Sequence, residues 1–329
     1  MWELGAVMGA SDRAETGFEQ RTGLIIAGPT ASGKSALALA LAKERGGTII
    51  NADAMQCYRE LRVLTARPSP EDEAEAPHRL YGVRAADEPA NAAWWRKAAL
   101  AELEAAAFPI LCGGTGMYFS SLVKGIADIP DPGEAARAEA RRRLAETGPE
   151  ALHAKLDPQT AAKLKPGDSQ RIARAYEVLL GTGKGLAHWQ ARPTERLQGW
   201  RLKMILLDPP RPVLREAIET RFNAMLEAGA LDEARALLAQ NLPPDLPLLR
   251  AHGMPELAAY LRGEILLAEA KARACLATFQ YTKRQMTWFR HQELVSKTDM
   301  QIIHSRIGSD TQFSESLCTD LYNFMNASG

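Results

Sequence analysis

The 329-residue chain is short of cysteine, of aromatics and of net charge, and each shortage removes a class of protein. Its four cysteines, Cys57, Cys112, Cys275 and Cys318, stand far apart, with no Cys-x-x-Cys pair and no histidine at metal-ligand spacing. That pattern argues against a disulfide framework or a zinc module and fits a reducing compartment. Lys plus Arg and Asp plus Glu are equal at 40 each, so any surface for a polyanion has to be a local patch. No apolar run is long enough to cross a bilayer, and Met1 to Gln20 lacks the apolar stretch of a signal peptide. The expectation is a cytosolic monomer with no membrane partner.

What is present is 46% hydrophobic residues, ample for a core of one large domain or two. Residues 1–22 read as a disordered extension. Leu24-Ile25-Ile26-Ala27 is then a buried strand, followed by a glycine-rich segment and an Ala/Leu-rich helix from Ser35 to Glu44. Thr48-Ile49-Ile50 and Phe108-Pro109-Ile110-Leu111-Cys112 are further buried strands, with a helix between them from Asn91 to Ala107. From Pro130 to about Leu197 no strand pattern appears. Asp157 and Asp168 are expected N-caps there, and Gly148 and Gly181 expected helix stops. The sheet pattern returns at Leu202 to Asp208, and helices are expected over 212–228, 231–240 and 264–290. The polar tail, 296–329, carries little signal. Alternating strands and helices predict a parallel α/β sheet, 23–129 with 198–295, interrupted by an all-helical insertion over 130–197.

The glycine-rich segment is Gly28-Pro29-Thr30-Ala31-Ser32-Gly33-Lys34-Ser35. A Gly-x-x-x-x-Gly-Lys-Ser run between strand and helix surrounds an anion with backbone N–H groups and a positive helix end, which is the P-loop arrangement. Lys34 adds a point charge, and Ser35 is the candidate Mg²⁺ ligand. The loop alone does not distinguish a nucleotide from another diphosphate. Asp53, at the carboxyl end of the strand expected near the loop, is a candidate metal ligand or general base, or simply a turn cap. Thr115 follows Gly113-Gly114 at the same sheet edge. There the glycines would let backbone approach a ligand, or Thr115 would be a plain N-cap.

Basic residues cluster despite the neutral total. The insertion carries Arg137, Arg141, Arg142, Arg143, Lys155, Lys163, Lys165, Arg171 and Arg174, the last two on one helix face with Gln170. In the last long helix, Lys271, Arg273, Lys283, Arg284 and Arg290 interleave with Phe279, Tyr281, Trp288 and Phe289. Two such clusters beside a phosphate site favour a polyanionic partner over two merely solvated faces.

Seven segments in order then resemble one family, the tRNA dimethylallyltransferases, also called tRNA isopentenyltransferases. They are residues 28–35, Asp53-Ala54-Met55-Gln56-Cys57-Tyr58-Arg59, Thr65-Ala66-Arg67-Pro68, Pro77-His78-Arg79-Leu80, Gly113-Gly114-Thr115-Gly116-Met117-Tyr118, Asp168-Ser169-Gln170-Arg171-Ile172-Ala173-Arg174 and Lys283-Arg284-Gln285-Met286-Thr287-Trp288-Phe289-Arg290. The resemblance implies a P-loop NTPase-like sheet and transfer of a dimethylallyl group from dimethylallyl diphosphate to N6 of adenine 37 of tRNA, with Mg²⁺. It assigns the diphosphate to Gly28, Thr30, Ala31, Ser32, Gly33, Lys34, Ser35 and Arg221. Proton acceptance falls to Asp53, and Thr115 positions the adenine and the bridging oxygen. The tRNA would be touched by Asp53, Ala54, Met55, Gln56, Thr115, Arg137, Gln170, Arg171, Ile172, Ala173 and Arg174, with the adenine extruded from its stack. Ala54 stands where the family has Ser, Val63-Leu64 replaces Ile-Gly, and Arg250-Ala251-His252-Gly253-Met254-Pro255 replaces an Ile-Gly-Tyr-Lys type segment. Two rivals use the same residues: a small-molecule kinase with the insertion as a lid over ATP, and a nucleotide-dependent RNA-binding module without catalysis.

Overall fold

The computed structural model describes residues 20–192, 194–308 and 315–327. Six parallel strands form one sheet: β1 (Arg21–Ala27), β2 (Thr48–Asn51), β3 (His78–Arg79), β4 (Pro109–Gly113), β5 (Trp200–Leu207) and β6 (Met300–Ile303). Their spatial order is β3-β2-β4-β1-β5-β6. β4 therefore lies between β1 and β2, and the loop after β1 and the turn after β2 flank the turn after β4.

Because side chains alternate across a strand, each run of apolar residues feeds two cores. Ile25, Ala27, Ile50, Leu111, Met204 and Leu206 face one side. There they meet α3 (Ala92–Ala105), α4 (Gly116–Lys124) and the end of a long helix, α12, introduced below. Leu24, Ile26, Ile49, Ile110, Cys112, Ile205 and Leu207 face the other side, against α1 (Lys34–Arg45). The short α2 (Pro70–Glu75) is held by a capping box between Ser69 and Asp72.

Between α4 and β5 the chain forms α5 (Glu134–His153), α6 (Pro158–Ala161), α7 (Ser169–Thr182) and α8 (Leu186–Gln190), which contain no strand and enclose a separate core of Ala140, Leu152, Ile172, Ala175 and Val178. Asp157 and Asp168 are the expected N-caps, accepting from the Thr160 and Arg171 amides. Gly148 breaks α5 with a left-handed φ of 77°. Gly181 is not a stop: it lies inside α7 against the Pro132 backbone, and Gly183 ends the helix at φ 69°.

After β5 come α9 (Arg211–Glu227), α10 (Ala230–Leu238), α11 (Met254–Leu261) and α12 (Leu267–His291), close to the expected helices. Two boundaries needed correction. Arg21 and Thr22, assigned to the extension, already pair with Trp200 and Arg201 in the sheet, whereas 1–19 lie outside the described residues. The tail supplies both the edge strand β6, paired with β5, and a last helix, α13 (Glu315–Asn326), whose Leu321 is buried over α1. No helix among the described residues is long and apolar enough to cross a membrane.

Candidate active site

The turn after β2 is built by Asn51, whose buried side chain accepts from the Asp53 N–H (2.8 Å) and donates to the carbonyls of Asp53 and Leu80 (3.0 Å each). The Asn51 carbonyl in turn accepts from the Trp95 indole at 2.7 Å. Asp53 is thereby fixed at the sheet edge. One of its oxygens accepts from the Met55 N–H at 3.0 Å, leaving lone pairs for a ligand. Asn51 was not singled out in sequence; a buried amide at a strand end was the available signal.

Across the turn, Thr115 occupies the N-cap position of α4 but makes no side-chain cap bond. Its hydroxyl instead accepts from the Ala54 N–H at 3.0 Å, so its proton remains free to donate. The two glycines before it have a different use from the one expected. A side chain at Gly113 would enter the Ala52 backbone, and one at Gly114 would strike the Gln285 amide. The missing side chains let the Ala52 backbone and the Gln285 amide approach closely.

Gln285 is the second residue that sequence reasoning left without a role. Buried on α12, it accepts from the Thr30 N–H at 2.9 Å and donates to the Gly114 carbonyl at 3.1 Å. Thr30 consequently has its amide engaged, and it lines the cavity described below. Elsewhere the phosphate loop is open: Ser32 Oγ is buried without a partner, and Ala31 sits at φ 67°. Lys34 donates to the Pro29 carbonyl at 2.7 Å. Burial lowers its pKa to about 8, while Cys112 and Asp53 oppose the drop and Arg221 adds to it. Arg221 on α9 is shifted down by burial as well, against the field of Asp53. Cys57 and Cys112 close by are neutral thiols, pushed up to about 12 chiefly by burial.

Of these groups, Thr30, Asp53, Thr115 and Arg221 share the wall of one cavity of about 430 Å³ with Ala54, Met55 and Gln170, while Lys34 and Ser32 are not among its lining residues. Ile218, Phe222 and Met225, on the α9 face that carries Arg221, give it an apolar side with Leu64. The departing segment also contributes, through Arg250, Ala251 and His252. His252 lies 4.5 Å from the Tyr281 ring, and its pKa is lowered, mainly by burial.

Other expected site residues lie elsewhere. Ser35 is exposed at the start of α1 and lines a neighbouring cleft with Lys43, Asp72 and His78. Gln56 is inward, donating to the Thr65 and Ala66 carbonyls, so both amide hydrogens are engaged. Ile172 is fully buried in the insertion core and offers no side-chain surface to a partner. Gln170 brings α7 to the cavity wall, with Arg171 and Arg174 exposed beyond it and Ala173 half-buried. The arginines of the insertion are less free than their sequence suggests: Arg137 pairs with Asp131, Arg141 with Glu134 and Asp245, and Arg142 and Arg143 with Glu139. Such exposed pairs are weak and can be exchanged for phosphates.

The comparisons with known proteins agree with this geometry. The family model described as IPP transferase matches residues 56–292, and that of isopentenyl transferase matches residues 22–86. A tRNA dimethylallyltransferase of Acidiphilium cryptum is 63% identical over 98% of this chain and 100% of its own length. Among solved structures, the tRNA isopentenylpyrophosphate transferase of Bacillus halodurans is 30% identical at a TM-score of 0.64, covering 93% of this chain and 95% of that one. A eukaryotic dimethylallyltransferase acting on tRNA, 24% identical and covering 93% of this chain and 79% of its own, shares the fold at a TM-score of 0.77. With a cavity joining a phosphate loop to a carboxylate and an apolar wall, and with matches that span most of its length, the chain belongs to the tRNA dimethylallyltransferase (IPP transferase) family.

Proposed function

We propose that the protein transfers a dimethylallyl group from dimethylallyl diphosphate to the exocyclic N6 of adenine 37 of tRNA, releasing diphosphate. The observation that carries this reading is the composition of one cavity: phosphate-loop residue and Arg221 at one end, an apolar wall of Ile218, Phe222 and Met225, and Asp53 with Thr115 at the sheet edge. The cavity offers a five-carbon chain an apolar surface next to its diphosphate.

In the reaction the N6 lone pair forms a bond to C1 of the dimethylallyl group as the C1–O bond breaks and its electrons pass to the diphosphate. Lys34 and Arg221, both desolvated, stabilise that growing charge more strongly than they could in water. The Thr115 hydroxyl has a free proton to give the bridging oxygen. Asp53, with one oxygen held by the Met55 amide, accepts the proton that leaves N6. The adenine has to leave its stack to reach this depth, and Gln170 and Arg171 at the start of α7 stand where the anticodon loop would lie. Mg²⁺ would accompany the diphosphate oxygens, and the Ser35 hydroxyl at the start of α1 would be its protein ligand. The buried Ser32 hydroxyl, which has no hydrogen-bond partner, is available to a phosphate oxygen. When bound, Mg²⁺ supplies charge neutralisation of the leaving group.

Mass spectrometry of tRNA from cells with and without the gene tests the reading. An isopentenyl group on the adenosine next to the anticodon, lost with the gene, is expected; unchanged tRNA would overturn it.

A further inference from the structure

The phosphate loop is braced from outside by a segment that carried no sequence signal. Immediately after β6, the Ile307 N–H donates to the Ser32 carbonyl at 3.1 Å, and Arg306 Nε donates to the Ala31 carbonyl at 3.1 Å. Ala31 is the loop residue in the left-handed region, so the two bonds fix the least favourable peptide of the loop. The packing is close: a side chain at Gly33 would enter the Ile307 carbonyl. Arg306 itself is exposed, and among the described residues no carboxylate pairs with it. Its guanidinium retains donors beyond the one given to Ala31, and its charge reaches Arg221, whose own charged state it disfavours.

We propose that Arg306 is a further positioning residue for the diphosphate: it locks the Ala31 carbonyl outward, so that the loop amides point inward, and adds a third positive charge to those of Lys34 and Arg221. Lys34 and Arg221 lie in the field of Asp53 and Arg306 adds positive charge beside Arg221, an excess that a multiply charged diphosphate neutralises, and bidentate guanidinium geometry suits phosphate oxygens. A bound diphosphate relieves the repulsion between Arg306 and Arg221. This inference rests on the diphosphate reading of the loop.

The test uses the full-length protein with Mg²⁺ and inorganic pyrophosphate as the probe, titrated by calorimetry for the unsubstituted chain, Arg306→Lys and Arg306→Gln. The expected result is a Kd raised fivefold or more by Arg306→Gln and partly restored by Arg306→Lys. In the prenyl-transfer assay, the KM for dimethylallyl diphosphate should rise while kcat changes less than twofold. Pyrophosphate binding by the unsubstituted chain with a Kd within twofold for Arg306→Gln would overturn the role of Arg306 alone. No pyrophosphate binding by the unsubstituted chain would overturn the diphosphate reading together with it. A thermal midpoint measured for each variant separates loss of fold from loss of charge: a Kd change that merely tracks unfolding also overturns the proposal.

Discussion

Gln285 accepts a hydrogen bond from the Thr30 amide and donates one to the Gly114 carbonyl, so that one buried side chain of α12 joins the loop after β1 to the turn after β4. Replacing it with Leu leaves the buried Gly114 C=O unpaired, at about 1–3 kcal/mol, and the half-buried Thr30 N–H unpaired at about 1 kcal/mol. Gln285→Leu should therefore lose about 2–4 kcal/mol in denaturant unfolding, and the KM for the prenyl donor should rise with it. Unfolding within 0.5 kcal/mol of the unsubstituted chain, about the scatter of a surface change, would show that the bridge holds nothing.

Thr115 is tested by two variants that differ in the hydroxyl. Thr115→Ser keeps both the bond from the Ala54 amide and the free proton, and should retain activity within a few-fold. Thr115→Val keeps the shape and loses both, with an expected fall of about 10²-fold in kcat, the scale of losing one donor to a developing oxyanion. Equal activities for the two variants would remove Thr115 from the chemistry.

Lys34 gives the site a pH limit. Its folded pKa of about 8 lies below its ordinary value of 10.5, because burial disfavours the charge. As pH rises through about 8 the empty site loses that charge, so pyrophosphate affinity should weaken above pH 8, and Lys34→Met should bind weakly with no such step. The stability sign is opposite. Between pH 8 and 10.5 the unfolded chain holds a proton that the native chain has released, so this group's penalty on folding diminishes as pH rises. Pyrophosphate titrations and thermal unfolding between pH 7 and 10 check both directions.

Arg171 and Ile172 are neighbours with opposite environments, one exposed and one in the insertion core. Arg171→Ala should weaken tRNA binding and lower the log–log salt slope by about 0.7–0.9, one phosphate contact. Ile172→Ala should lower stability by about 2–5 kcal/mol through its cavity instead. An unchanged salt slope for Arg171→Ala would count against this face as an RNA surface.

The difference between Arg171 and Asn51 also shows what a sequence can convey. The glycines around Lys34, the carboxylate at the end of β2 and the arginines spaced along α7 were legible because each has a local pattern. The four apolar runs identified the central strands for the same reason. Gln285 acts through partners distant in sequence, 255 residues away in the case of Thr30, and no local pattern announces such a pairing, whereas Asn51 binds Asp53 two residues on and Leu80 29 residues on, so only part of its role is local. The edge strand β6 escaped because Met300–Ile303 is short and buried on one face at most, so it has neither the length nor the apolar density of β1 or β5. Gly113 and Gly114 were legible as points of close approach, but only the folded chain shows the Ala52 backbone and the Gln285 amide in that space.

The central claim is that the phosphate loop grips the leaving group of a prenyl donor while Asp53 takes the proton from the attacked adenine. Purified protein, Mg²⁺ and tRNA with adenine at positions 36 and 37 should be incubated in parallel with labelled dimethylallyl diphosphate and with γ-labelled ATP. The account predicts label on tRNA from the prenyl donor and none from ATP, with Asp53→Asn reducing transfer by about 10²–10⁴-fold and leaving tRNA binding intact. Phosphate transfer from ATP with no prenyl incorporation would contradict it.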